Sequence, residues 1–279
     1  MSPLLQTALL SALFAGLVAA GVTVAIERWG GVIGGFLGTL PSTIVPASLG
    51  IWAAHPDPDA LAAAMGAVPA GMLLNVLYLL LWRALPPRLP PGPSGRRLAM
   101  VTVLTLGCWG LAATALTVGL GAARSAGLPP LWTGAVLTLG IIAVGVAANW
   151  SPRPAPRGAQ RVGRGTLLLR GLLAAAAIGV SVLLARVGGG LLSGMASVFP
   201  AIYTTTMVSL WLAQGEAVQG GAIGPMMLGS ASVAAYAVGA GALIPWLGPA
   251  RGAPLAWILA VSLTSAPGLG WVRWRARHG

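Results

Sequence analysis

The length of its apolar runs constrains this chain more than any other feature. A helix needs about 20 apolar residues to cross the hydrocarbon core of a bilayer. Runs of that length recur along the whole sequence, with short Arg-bearing segments between them. They predict nine spans, near 4–26, 30–54, 60–82, 98–120, 129–149, 166–185, 188–213, 218–245 and 254–272. Water is excluded as the solvent for such a fold. Only 7% of the residues are charged and 57% are hydrophobic, whereas soluble domains carry about 25% charged residues. Gly and Pro inside the runs fit this reading, because neighbouring helices recover freed backbone groups and small residues let helices approach closely. Met1-Ser2-Pro3 lacks a basic lead-in, and the apolar stretch after it is too long for a cleavable signal, so 4–26 reads as a span.

The charges give orientation. All 16 basic residues are Arg, against Glu27, Asp57, Asp59 and Glu216. Arg83, Arg88, Arg96 and Arg97 fall in one loop, Arg153, Arg157, Arg161 and Arg164 in a second, and Arg273, Arg275 and Arg277 in the tail. With nine spans these segments share one side, together with Arg28. The other side receives Arg124, Arg186, Arg251, Asp57 and Asp59. The positive-inside bias then sets the N-terminus outside and the C-terminus in the cytoplasm, in the cytoplasmic membrane if the cell is bacterial. The formal charge of +12 is accounted for by these clusters. They form no basic face with aromatic platforms, so no nucleic-acid partner is expected. Two His and one Cys cannot supply a usual four-ligand zinc site, no cofactor is expected, and Cys108 reads as a small buried filler.

A second feature is an internal repeat. At a shift of 159 residues Thr7 falls on Thr166, Leu13 on Leu172, Gly35 on Gly194, Pro41 on Pro200, Trp52 on Trp211 and Asp57 on Glu216. One residue less continues the match, with Gly66 on Gly224, Gly71 on Gly229 and Tyr78 on Tyr236. Coincidence among Gly, Ala and Leu explains part of such a list, but less well the Pro, Trp, Tyr and acidic pairs in one register. Spans one to four then correspond to spans six to nine. An offset of five spans reverses direction through the membrane. The expected fold is an all-α integral membrane protein with two inverted four-helix repeats joined by a linker helix. Residues 1–127 form the first repeat, 128–150 the connecting span, 151–165 a basic cytoplasmic linker and 166–279 the second repeat. Inverted repeats are characteristic of many secondary transporters.

The candidate site lies where the repeat is best matched. Pro41 cannot donate to the carbonyl of Leu37, nor Pro200 to that of Ala196. Each Pro sits about eleven residues into its span, close to the bilayer middle by the 1.5 Å rise per residue. Broken helices there would turn free amides toward a small anion or polar solute, with hydroxyls beside them. The expected substrate contacts are Gly38, Thr39, Pro41, Ser42, Thr43, Asn75, Ser197, Pro200, Tyr203 and Thr204, with Glu216 as a coupling candidate. The plainer reading is a packing kink, with hydroxyls bonded back onto their own helix. Asn75 can equally be packing glue, and Tyr78 and Tyr236 read as core. Asn149-Trp150 reads as an interfacial anchor, and Glu216 and Asp57 as helix-start residues.

No phosphate loop, His-Glu-x-x-His helix or Gly-x-Ser-x-Gly elbow is present, so no enzyme is expected. The sequence therefore predicts a carrier for a small polar or anionic solute, partnered by membrane lipid and free to form homo-oligomers. The other function class is a non-transporting scaffold or accessory subunit.

Overall fold

The computed structural model describes residues 31–42, 44–54, 56–150 and 199–278, with single positions between 6 and 29 and between 165 and 176. Most of spans one and six, the first part of span seven, the linker 151–165, and Thr43, His55 and Ser197 lie outside the described residues. Among the described residues the chain is helical without strands. Among these residues five helices are long and apolar enough to cross a membrane: Pro58–Arg88, Ser94–Ser125, Pro130–Asn149, Gly220–Leu247 and Pro249–His278.

In chain order the helices are α1 (Gly31–Gly38), α2 (Ile44–Ala54), α3 (Pro58–Ala84), α4 (Ser94–Ser125) and α5 (Pro130–Asn149), then α6 (Ala201–Gln214), α7 (Glu216–Gly229), α8 (Ala231–Leu247), α9 (Pro249–Ala260) and α10 (Ala266–His278). Asp57 caps α3, its Oδ1 accepting the amide of Asp59 at 3.0 Å. Glu216 stands in the first turn of α7. Both therefore hold the helix-start places expected of them, where a carboxylate offsets the helix dipole. Gly248 turns α8 into α9 with φ +75, a conformation that carries no steric cost for Gly. A π-helical turn over Val261–Ser265 joins α9 to α10, with the amide of Ala266 donating to the carbonyl of Val261. Pro267 lacks the N–H that a regular α-helical ladder would need next.

Helices α3, α7 and α8 form the centre of the bundle. Their buried side chains include Leu61, Val68, Trp82, Ile223, Met226 and Tyr236. Helix α5 buries a single stripe, Gly134, Thr138, Ile141, Gly145 and Asn149, spaced for one helix face. Its first turn lies on α3, where a Cβ on Gly66 would fall 2.5 Å from the carbonyl oxygen of Pro130. At its last turn Arg83 of α3 donates to the carbonyl of Ala148. Helix α5 thus runs parallel to α3. Against α7 and α8 it runs the other way: Leu131 meets Gly241, Gly145 meets Leu228, and Asn149 meets Gly224.

The contacts also sort the two ends of the bundle. One end gathers Arg83, Arg97 and Arg275: Arg97 pairs with Glu216, and Arg275 donates to the carbonyl of Trp150 and lies over its ring. The far end holds Asp57, Asp59, Pro130 and Gly248. Two expectations change here. Cys108 is exposed on the outer face of α4, where lipid would meet it, and fills no core position. Asn149 is buried, its Nδ2 donating to Gly145 O at 2.8 Å and Gly224 O at 2.7 Å, so it clamps helices and leaves anchoring to the exposed Trp150.

Candidate functional site

Span two is interrupted at its Pro. Helix α1 ends at Gly38, and the chain bends through Thr39, Leu40, Pro41 and Ser42 before α2 begins. The turn tightens as it ends: Thr39 N donates to Phe36 O at 3.2 Å and Leu40 N to Leu37 O at 3.4 Å, both i to i−3. Gly38, Thr39 and Pro41 are buried and Ser42 is half-buried. The Thr39 hydroxyl bonds back to Gly35 O and Phe36 O, and that of Ser42 to Leu40 O. Back-bonding, the plainer role for these hydroxyls, is thus what their donors do.

The break rests on span eight, which stays helical there: Ser230 has φ −59 and ψ −22, and its amide donates to Met226 O at 3.0 Å. Span eight changes from α7 to α8 at Ser230. There Ser232 Oγ donates to the carbonyl of Thr39 at 2.8 Å, and Gly229 leaves room for Thr39, since a Cβ on it would fall 2.1 Å from the Thr39 hydroxyl oxygen. The hydroxyls of Ser230 and Tyr203 are bonded at 2.7 Å. Span seven reaches the same place through α6, which starts after the buried Pro200. The Pro200 carbonyl accepts both the amide and the hydroxyl of Thr204.

Two tyrosines extend the polar network. Tyr78 OH bonds Thr204 Oγ1 at 2.7 Å, and Tyr236 OH bonds Ser48 Oγ at 2.8 Å. One turn before Tyr78, Asn75 Oδ1 accepts the indole N–H of Trp109 at 3.0 Å. The Trp109 ring meets Phe199 edge to face. Asn75 therefore ties span three to span four beside the start of α6.

Of the expected contacts, Thr39 and Tyr203 come together through Ser230 and Ser232, and Asn75 and Thr204 through Tyr78 and Trp109. Glu216 lies apart, at the arginine-rich end, with its Oε2 3.2 Å from Arg97. Thr43 and Ser197 lie outside the described residues. Sequence reasoning passed over Ser48, Ser230, Ser232, Trp109 and Arg97. The run Gly229-Ser230-Ala231-Ser232, in an apolar span, was the signal that could have found the contact with span two. Among the described residues no group of His, Cys, Asp and Glu could hold a metal ion. The hydroxyls and the Trp109 indole of this network bond one another or backbone carbonyls.

Each tyrosine bond crosses between spans, so its loss should register. Tyr78→Phe and Tyr236→Phe are each expected to lower stability by about 0.6 kcal/mol, the mean for interhelical hydrogen bonds in a membrane protein. The effect stays small because Thr204 and Ser48 keep backbone acceptors, Pro200 O and Val45 O. Thermal unfolding in detergent measures it, with Thr204→Val and Tyr78→Phe combined in a double-mutant cycle; additive losses would remove the pair. Comparison with protein-family models, curated proteins and solved structures gave no match for the chain.

Proposed function

We propose that this chain is a non-enzymatic carrier of a small polar or anionic solute, working by alternating access in the cytoplasmic membrane. Its two inverted four-helix repeats flank the connecting helix α5, and its solute site lies between the interrupted spans two and seven. The arginine-rich end faces the cytoplasm.

The observation that carries this reading is the pairing of contacts at the two ends of α5. Its first residue, Pro130, is met by Gly66, and its last, Asn149, by Gly224, the repeat partner of Gly66. Its second residue, Leu131, meets Gly241, and its second from last, Ala148, meets Arg83, which Gly241 matches in the same register. Its fifth residue, Gly134, meets Gly66 and Pro69, and its fifth from last, Gly145, meets Leu228. A two-fold axis crossing the middle of α5 at right angles would produce this pattern, as expected of inverted repeats. Two further contacts support it. Gly16 packs on Gly171 and on Ala175, its own repeat partner. The matched Tyr78 and Tyr236 each bond a hydroxyl from the opposite half, on spans seven and two.

Uptake of labelled polar and anionic solutes into vesicles carrying the purified protein tests the proposal. Transport above that of protein-free vesicles, lost on changing Pro41 or Pro200, supports it. A second reading, a scaffold or accessory subunit, draws on the direct bonds from Ser232 to Thr39 and from Tyr203 to Ser230, which close the break with protein groups. Under that reading Pro41 and Pro200 variants would lose folded yield and nothing else.

A further inference from the structure

At the arginine-rich end of the bundle a clasp of side-chain bonds joins α4 to the turn between α6 and α7. Ser94 and Arg97 occupy the first turn of α4. Opposite them the chain passes from α6 to α7 through Gly215, whose amide donates to the carbonyl of Trp211 at 3.0 Å. Two side-chain bonds bridge the gap: Arg97 Nη2 to Glu216 Oε2 at 3.2 Å, and Trp211 Nε1 to Ser94 Oγ at 3.0 Å. Arg97 is braced by a second bond, to the carbonyl of Pro86 at 2.7 Å.

From the clasp a row of buried, mostly aromatic side chains runs to the Pro200 turn. Trp82, Tyr78 and Asn75 follow one another along one face of α3, over about 10 Å at 1.5 Å per residue. Trp82 meets Trp211 and Tyr78 edge to face, each at 6.3 Å between ring centres. Tyr78 reaches Thr204, and Asn75 reaches Trp109. Trp82 is wholly buried. At the opposite end the repeat partner of Glu216, Asp57, caps α3 and its Oδ1 accepts the amide of Asp59.

We infer that Arg97 and Glu216, with Ser94 and Trp211, form the cytoplasmic gate of the carrier, closed in this structure over the row leading to Thr204. Glu216 is then a gate residue and carries no coupling ion. This rests on the carrier reading above, and the test keeps the two apart. Cys108 is replaced by Ala, Thr204→Cys is introduced, and a water-soluble maleimide is added on the side of the arginine-rich loops. Arg97→Glu sets two carboxylates against each other and is expected to speed modification of the introduced thiol about fivefold, the factor set by the upper value for an exposed ion pair. The swapped pair Arg97→Glu with Glu216→Arg is expected to bring the rate back. General loosening, including loss of the Pro86 bond, would not be reversed by the swap. An unchanged rate in Arg97→Glu, or a swap that stays fast, overturns the gate while solute uptake still judges the carrier. A reversible change supports the gate even where uptake fails.

Discussion

Gly66→Leu and Gly224→Leu are each expected to destabilise the folded protein by about 3 kcal/mol, at the upper end of typical overpacking costs. Both glycines sit where a helix meets α5 without room for a side chain. A Cβ on Gly66 would fall 2.5 Å from the Pro130 carbonyl oxygen, and one on Gly224 2.6 Å from Asn149 Oδ1. The first obstacle is backbone. The second is a side chain held by two hydrogen bonds, one of them to Gly224 itself at 2.7 Å. Neither can yield without moving α5. Gly119→Leu serves as the control. It is exposed on α4 with nothing within 4 Å of a built Cβ, and replacing a helix Gly gains roughly 0.5–1 kcal/mol of backbone entropy. Thermal unfolding in detergent should place the two core variants well below wild type and the control at or above it. Equal melting of all three would remove the close approach of α5 on which the two-fold argument depends.

Pro41→Ala is expected to cut solute uptake at least about tenfold, equivalent to ~1.4 kcal/mol, without loss of folded yield. Pro41 lacks the N–H that would join α1 to α2. Ala supplies that donor, and the i−4 acceptor would be Leu37 O, which now takes the amide of Leu40 at 3.4 Å. A rejoined helix is the more regular one, so stability should hold or rise while function falls, the usual trade at a strained functional element. Rejoining also moves the Thr39 carbonyl off Ser232 and fixes span two in one shape, where alternating access needs two. Pro200→Ala acts at the matched turn, where the Pro200 carbonyl accepts the amide and hydroxyl of Thr204. Uptake by vesicles and folded yield by size-exclusion chromatography separate the cases. A fall in both together would make each Pro a packing kink and remove it from the site.

What was legible around the candidate site is local. The break at Pro41 followed from a missing donor, and the helix-start roles of Asp57 and Glu216 from the helix dipole. Prolines alone were not sufficient evidence. Pro69 and Pro225 lie inside unbroken stretches of α3 and α7, because packing on both sides can hold a helix together across one lost bond. Span eight likewise keeps helical geometry through Ser230, whose amide and hydroxyl both bond the carbonyl of Met226 four residues before it.

By itself the sequence determined the helical class and the presence of helices apolar and long enough to cross a membrane. Apolar runs of this length leave the backbone no partner but itself in a bilayer, so helices follow from composition and length alone. Which polar groups meet was decided only by the tertiary structure. The bonds Tyr78–Thr204, Tyr236–Ser48 and Arg97–Glu216 join residues more than a hundred positions apart. Nothing in a local pattern sets which helix faces turn toward each other. Close packing does, through glycines such as Gly66 and Gly224 whose missing side chains let α5 come near.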